Sequence, residues 1–373
     1  MAEKKINVAV IGLGFGRDFI PIYQSHKNVG KVAICARNHD AVKEAAKEFS
    51  IEDDMCFTNF ADVLNCKKID AIHVVTPIFD HFRQSFASLE AGKHTACTVP
   101  MATTAAECKA LVRARNKVNK VYMMMETSIY SREYLYVKDL VDHGKLGRIQ
   151  FVRGSHMQNM GLKGWPEYWL GLPPMWYGTH AISPLLAINK TRAESVVCHG
   201  SGSVGSELAA RYGSPFAVET ATFKLKDTEV VAEATRSLFE TVRQYRESFD
   251  IYGDKQAFEW DQIAEEGQVL FEGGETARRF HVPDTDAVLP EELKKYTLKE
   301  AITDQQHVSF IQGSGHGGSH PHLVQEFIGA IVEGRKAAVD AVESANYTCA
   351  GICAHESAMN GAQLIELPGF EAL

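Results

Sequence analysis

The 373-residue sequence predicts an α/β fold in two parts. Residues 1–126 read as a parallel sheet wrapped by helices, and residues 127–373 as an α+β region with an open, mainly antiparallel sheet. Three observations predict this. In the first third, short and continuously apolar runs alternate with helical patterns, as strands buried on both faces require. After about residue 127 longer, partly alternating runs follow one another without helices between them, which marks antiparallel pairing. The length favours two domains, and a 45% hydrophobic content is enough to fill both cores.

The first strand is "INVAVIG", followed by "KVAICA", "AIHVVTP", "KHTACTVP" and "KVYMMME". Between them lie "DAVKEAAKEF", "FDHFRQSFASLEAG" and "TTAAECKALVRARNKV", whose apolar residues recur at helical spacing. "SREYLYVKDLVDHGKLG" then reads as a linking helix ending at Gly144. The strands "RIQFVRGSHMQN", "AESVVCHGSGSV", "AVETATFKLKD", "EVVAEATRSL", "ESFDIYGDKQAFEW" and "QVLFEG" come next. Residues 274–310 are charged and weakly patterned and read as an excursion. "PHLVQEFIGAIVEG" and "SANYTCAGICAHESAMNG" close the chain as helices.

Composition narrows the function. The formal charge is −8, with no long basic run and no interleaving of basic and aromatic residues, which argues against nucleic acid. No apolar run approaches the roughly 20 residues that span a bilayer, and the start shows no secretory pattern. The eight cysteines include no C-x-x-C pair and sit in apolar runs or helices, as reduced cysteines do. The expected compartment is a reducing cytoplasm. Cys349 and Cys353, four apart on one helix, are read as packing rather than as metal ligands.

"VAVIGLGFGR" places Gly12 and Gly14 directly after the first strand, where a tight turn into a helix presents backbone N–H groups to a pyrophosphate. Phe15, Gly16 and Arg17 continue that turn, with Arg17 in the third glycine position of G-x-G-x-x-G. The second strand ends at Ala36-Arg37-Asn38, without the carboxylate that would hold a ribose 2′-hydroxyl. Arg37 suits a 2′-phosphate or an adenine face and Asn38 a ribose, so NAD and NADP stand even. Ligands of such sheets lie beyond the carboxyl ends of the strands, which assigns Thr76, Pro77, His81, Thr98 and Pro100 to the nicotinamide half.

These motifs resemble the Gfo/Idh/MocA family of NAD(P)-dependent sugar oxidoreductases. The resemblance rests on "GLGFGR", "TPIFDH", the strand ending at Pro100 before "MATTAAE", "MMMETSIY" and "GTH". It implies a Rossmann domain, a second domain whose open sheet builds homo-oligomers, and a sugar substrate. The family's usual Glu-Lys-Pro is Thr98-Val99-Pro100 here, so its lysine is missing, and Trp176 replaces the common Asp upstream of "GTH". Oxidation of a carbinol still needs a base. His180, whose imidazole titrates near neutral pH, is the candidate, with Tyr177 as its assistant. Two groups look similar: the NAD-dependent glycosidases of family 109 and the bacterial glucoside 3-oxidoreductases. The latter also match in "HGGSHPHLVQEF" and "GICAHESA". Both imply oxidation at sugar C3, and the second passes a 3-keto sugar to a separate cleaving enzyme. A cofactor-binding sensor that lost catalysis with the lysine is the remaining reading.

The substrate wall is expected in "GLKGWPEYWLGLPPMWYGTH", which holds three of the four tryptophans, Trp165, Trp169 and Trp176, with Tyr168. His156 and Gln158 alternate on one strand face, and Glu126 and Tyr130 follow the last strand of the first sheet. "GSGHGGSHPH" carries three histidines. With no carboxylate or cysteine beside them they read as a glycine-rich loop presenting His316 to a sugar, and no metal is expected.

Overall fold

The computed structural model describes residues 5–263, 266–274, 276–283, 286, 288–298 and 316–373. Part of the 274–310 excursion and the start of the glycine-rich loop before His316 therefore lie outside the described residues.

The first sheet contains β1 (Ile6–Ile11), β2 (Val29–Cys35), β3 (Cys56–Phe57), β4 (Ala71–Val74), β5 (His94–Thr98) and β6 (Tyr122–Met125). All its pairings are parallel, in the order β3-β2-β1-β4-β5-β6. β1, β4 and β6 are almost entirely buried, which is why their sequences are apolar at every position rather than at alternate ones. The strand order reverses between β1 and β4, opening a crevice at their carboxyl ends. The expected helices form at His39–Phe49, Ile78–Glu90 and Ala105–Lys117, the last with a capping box between Thr104 and Glu107.

The helix Arg132–Asp142 leads into the second sheet, with Gly144 just past its end at φ 65°. That sheet comprises β7 (Ile149–Gln158), β8 (Ala193–Ser201), β9 (Val218–Leu225), β10 (Val231–Ser237), β11 (Tyr245–Gly253), β12 (Ala257–Glu259), β13 (Gln268–Phe271), β14 (Ala277–Phe280) and β15 (Ile365–Glu366). Its order is β14-β13-β12-β11-β7-β10-β9-β8-β15, and only β7 and β10 run parallel among the described strands. The helix Thr179–Asn189 packs on β7 at Gly154. A Cβ at Gly154 would strike the Ala181 carbonyl oxygen, so glycine is what lets helix and sheet approach closely enough to place His180.

The last two helices tie the halves together. The helix His320–Glu333 buries Leu323, Val324, Phe327 and Ile328 in the same core as Ile20, Ile22 and Tyr23 of the first part. Ala341–Met359 lies against β8 and against the helix Ala105–Lys117, with Thr348 Oγ1 accepting the Met101 N–H at 3.3 Å. All eight cysteines are free thiols, and Cys349 and Cys353 are buried in this contact.

Candidate active site

A cavity of about 780 Å³ occupies the crevice. One end is walled by Gly12, Gly14, Phe15, Arg37, Asn38, Asn59 and Phe60, the other by Thr98, Val99, Gln158, Trp165, Tyr168, Trp169, Tyr177, His180, Tyr245 and His316; Thr76, Pro77 and His81 also line it. Gly12, at φ 99°, presses so close to the Val75 carbonyl that a Cβ would collide with it, while a Cβ on Gly14 would meet nothing within 4 Å. The turn thus leaves open space at its tip, as a backbone that must approach a pyrophosphate does. Asn38 caps the helix His39–Phe49, its Oδ1 accepting from Asp40 N at 2.9 Å and Ala41 N at 3.2 Å. Its amide NH₂ and the exposed Arg37 guanidinium form the rim. These residues fit a dinucleotide.

His81 is fully buried, with Nδ1 2.7 Å from the Pro100 carbonyl oxygen and Nε2 2.8 Å from that of Thr76. Two acceptors call for two N–H donors, hence an imidazolium. Burial opposes that charge, but the Cys97 sulfur and the two carbonyls push the pKa up to about 9. His81 so clamps the ends of β4 and β5.

At the other end the chain brings a tyrosine, a histidine and a glutamate into line. Tyr177 ends a short 3₁₀ turn, Pro174–Tyr177, and His180 lies in the first turn of the next helix. The Tyr177 hydroxyl is 3.5 Å from His180 Nε2, and His180 Nδ1 is 2.5 Å from Glu126 Oε1. Glu126 is wholly buried. It also accepts from Ser128 N at 3.1 Å, Ser128 Oγ at 2.9 Å and Ser183 Oγ at 3.2 Å. With Nδ1–H committed to the carboxylate, Nε2 is the basic nitrogen and faces Tyr177. Burial lowers the His180 pKa, but the charges of Glu126 and Glu247 outweigh it and the net shift is upward. For Glu126 burial works against ionisation and His180 more than restores it, so its pKa is lowered. Burial raises the Tyr177 pKa, which keeps the phenol protonated.

Two groups around these three residues were not anticipated. Arg236 is completely buried and donates to the carbonyls of Tyr177 at 2.8 Å, His156 at 2.9 Å and Ser237 at 2.8 Å, and to Gln158 Oε1 at 2.9 Å. Its guanidinium carbon lies 5.2 Å from the centre of the Tyr177 ring. Because Arg236 takes Oε1, Gln158 offers its NH₂ to the cavity. Glu247 on β11 accepts from the Tyr245 hydroxyl at 2.7 Å; burial works against its charge, but His180 and His316 bring its pKa down to about 2. Both were legible in principle: Arg236 shares a strand face with Ala232 and Ala234, and Glu247 shares one with Phe249 and Ile251.

Several expected site residues sit elsewhere. Gly16 packs against Val10, and Arg17 is held by Glu44 and Glu48 on the neighbouring helix; neither lines the cavity. Pro100 follows a cis peptide bond and contributes only its carbonyl, to His81. Tyr130 is packed against the apolar cores, where burial and then Glu326 raise its pKa. Trp176 lies against Tyr212 and His355, outside the cavity wall. Its neighbour Met175 is fixed by Glu219, which accepts the Met175 N–H at 2.7 Å and meets His355 Nδ1 at 2.6 Å. His156 stands behind the cavity, its ring 5.2 Å from that of His180. Neither of its nitrogens has a partner among the described residues, and burial holds its pKa well below the usual value. Among the described residues no cluster of His, Cys, Asp or Glu could hold a metal ion, and no helix is long and apolar enough to cross a membrane.

A parallel sheet of this strand order with an open glycine turn at its switch point defines a dinucleotide-binding domain of the Rossmann class. Comparison bears on the same residues: 6–126 match the Gfo/Idh/MocA family model, described as oxidoreductase family, NAD-binding Rossmann fold. A glycosyl hydrolase family 109 protein of Shewanella sp. (strain ANA-3) is 23% identical over 402 aligned positions, covering 98% of this chain and 85% of that protein. An α-N-acetylgalactosaminidase of Shewanella oneidensis is 22% identical over the same shares. Among solved structures, levoglucosan dehydrogenase in complex with NADH and levoglucosan superposes with a TM-score of 0.76 at 18% identity, covering 98% of this chain and 100% of that one. Myo-inositol 2-dehydrogenase from Lactobacillus plantarum does so at 0.74 and 18%, with the same coverage.

Proposed function

We propose that the protein is an NAD(P)-dependent oxidoreductase of sugars or glycosides, acting at C3 of a glucoside, with His180 as general base. In this reading residues 1–126 hold the cofactor and residues 127–373 supply the sugar wall. Gly12, Gly14 and Phe15 would take the pyrophosphate, Arg37 and Asn38 the adenosine ribose, and Thr76, Pro77 and Thr98 the nicotinamide end. The chemistry a bound nicotinamide would supply is that of a hydride acceptor for the sugar carbon. The Tyr177 hydroxyl receives the substrate proton as it passes its own to His180 Nε2, and Glu126 stabilises the imidazolium. Gln158 donates to a sugar oxygen, and Trp165, Tyr168 and Trp169 cover its apolar face. His316 lines the same end.

The observation that carries this reading is the Tyr177–His180–Glu126 chain, which opens on the cavity beside Val99, where the family's lysine would stand. The likeness to family 109 proteins over almost the whole chain favours one second reading, a glycosidase that oxidises C3 transiently and eliminates the aglycone. The deciding experiment incubates the protein with p-nitrophenyl glycosides and NAD or NADP and follows reduced cofactor and free nitrophenol together. Reduced cofactor without nitrophenol is the expected result. Nitrophenol without net reduction would establish the glycosidase. Cofactor binding with neither signal would leave a sensor. His180→Ala should abolish cofactor reduction, and unchanged turnover would refute the base assignment.

A further inference from the structure

Behind His180 lies a second chamber of about 150 Å³, walled by Ser128, Ser131, Glu133, Glu247, Trp260 and others. His180, Tyr245 and His316 belong to the walls of both cavities, so they form a partition. Three serines, Ser128, Ser131 and Ser248, and two carboxylates set polar groups into its otherwise largely apolar wall, and it is large enough for several water molecules.

Oxidation of an alcohol yields one proton for each hydride. With cofactor and sugar filling the front cavity, His180 cannot discharge forwards, and its other partner, Glu126, is sealed from solvent. We propose that the rear chamber is the proton outlet of the active site, a water-filled passage through which the His180 imidazolium discharges to Glu133 and from there to solvent. This rests on His180 being the base. The balance is complete. The substrate O–H bond breaks and its proton reaches His180 through Tyr177. That proton leaves Nε2 for chamber water while Nδ1–H stays on Glu126, which restores the starting tautomer, and one proton from that water is taken by Glu133 and released. The hydride, with its electron pair, is on the nicotinamide.

The groups facing the passage suit this. His316 Nδ1, in the partition, is 3.8 Å from Glu247 Oε2 in the chamber wall, while Thr127 Oγ1, 3.5 Å from Nδ1 of both His180 and His316, stands on the front side of the partition. Glu133, in the first turn of the helix Arg132–Asp142, is only half-buried and so reaches both chamber and solvent. It lies over Gly317, where a Cβ would sit 3.3 Å from its Oε2. Burial raises its pKa; its backbone N–H and Arg132 offset this, Asp261 and Glu247 add to it, and the result is about 7, where a carboxyl both takes and yields protons at neutral pH. Glu126, Tyr245 and, from β10, Arg236 complete the charged and titratable surroundings.

The test uses the full chain, p-nitrophenyl β-D-glucopyranoside and NAD or NADP, at low and high concentrations of imidazole buffer. Glu133→Gln should cut steady-state turnover about tenfold in low buffer, within the reach of a proton-transfer step. Imidazole should restore it, as should Glu133→Asp in part. The first turnover and NADH binding should stay as in the wild type, which also shows that the variant is folded. Buffer-independent turnover of Glu133→Gln with an unmoved pH profile, beside an inactive His180→Ala, would overturn the outlet alone. If His180→Ala is fully active, or the wild type reduces no cofactor, the base assignment falls and the outlet with it.

Discussion

Replacing Glu126 by Gln removes one charge and almost no volume from the centre of the site. The glutamine can keep Oε1 on His180 Nδ1 and on Ser128, where the carboxylate now sits at 2.5 Å and 2.9 Å, and turn its NH₂ towards Ser183 Oγ. The ring therefore keeps its tautomer and loses only the anion that stabilises its protonated form. A hydrogen bond to a charged group contributes about 1.5–3 kcal/mol. Since 1.4 kcal/mol is about a factor of ten, the oxidation rate above the titration should fall roughly tenfold to a hundredfold. The pH dependence carries the sharper signature. His180 must be neutral to act as base, so oxidation should rise with pH through a pKa that lies above the ordinary histidine value. Reduction of a keto sugar should show the opposite slope. In Glu126→Gln the limb should move towards acid, because the group that raises the pKa is gone. Initial rates of cofactor reduction across pH would measure both effects, with unfolding curves to verify the fold. A normal rate with an unmoved limb would refute the pairing of Glu126 with a catalytic His180.

Two further substitutions probe the cofactor rim and the packing beneath the site. Arg37→Ala should weaken NADPH binding about tenfold, the loss of one charge-assisted contact, and NADH binding much less; fluorescence titration with both would read it, and equal losses would place Arg37 on the adenine instead. Gly154→Ala should destabilise the fold by about 1–3 kcal/mol in denaturant unfolding, because the helix carrying His180 must retreat from β7; unchanged stability would mean the contact is not tight.

What the sequence disclosed follows from how local each feature is. Apolar runs and their alternation announced both sheets because burial acts on every second or every residue of a strand. The Tyr177–His180 spacing was legible because they stand only three positions apart. The partner of His180 was not fixed in the same way, since Glu126 lies 54 positions away and meets it only because one helix is seated on β7. Arg17 shows the converse: its motif position suggested a ligand, but two glutamates on an adjacent helix claim it. Arg236 and Glu247 were hidden in plain alternation, charged residues on buried faces, which a strand reading tuned to apolar positions passes over.

The return of the helix His320–Glu333 to the first sheet bears on how this molecule can move and be cut. Its Leu323, Val324, Phe327 and Ile328 shield Ile20, Ile22 and Tyr23. A fragment ending at residue 126 would present that greasy surface to water and clump rather than behave as a free-standing nucleotide binder. The same strap limits swinging about the 127–131 junction. The mouth of the cleft can widen by slippage of side chains and loops, but a wide jaw-like opening would have to tear this helix from its seat.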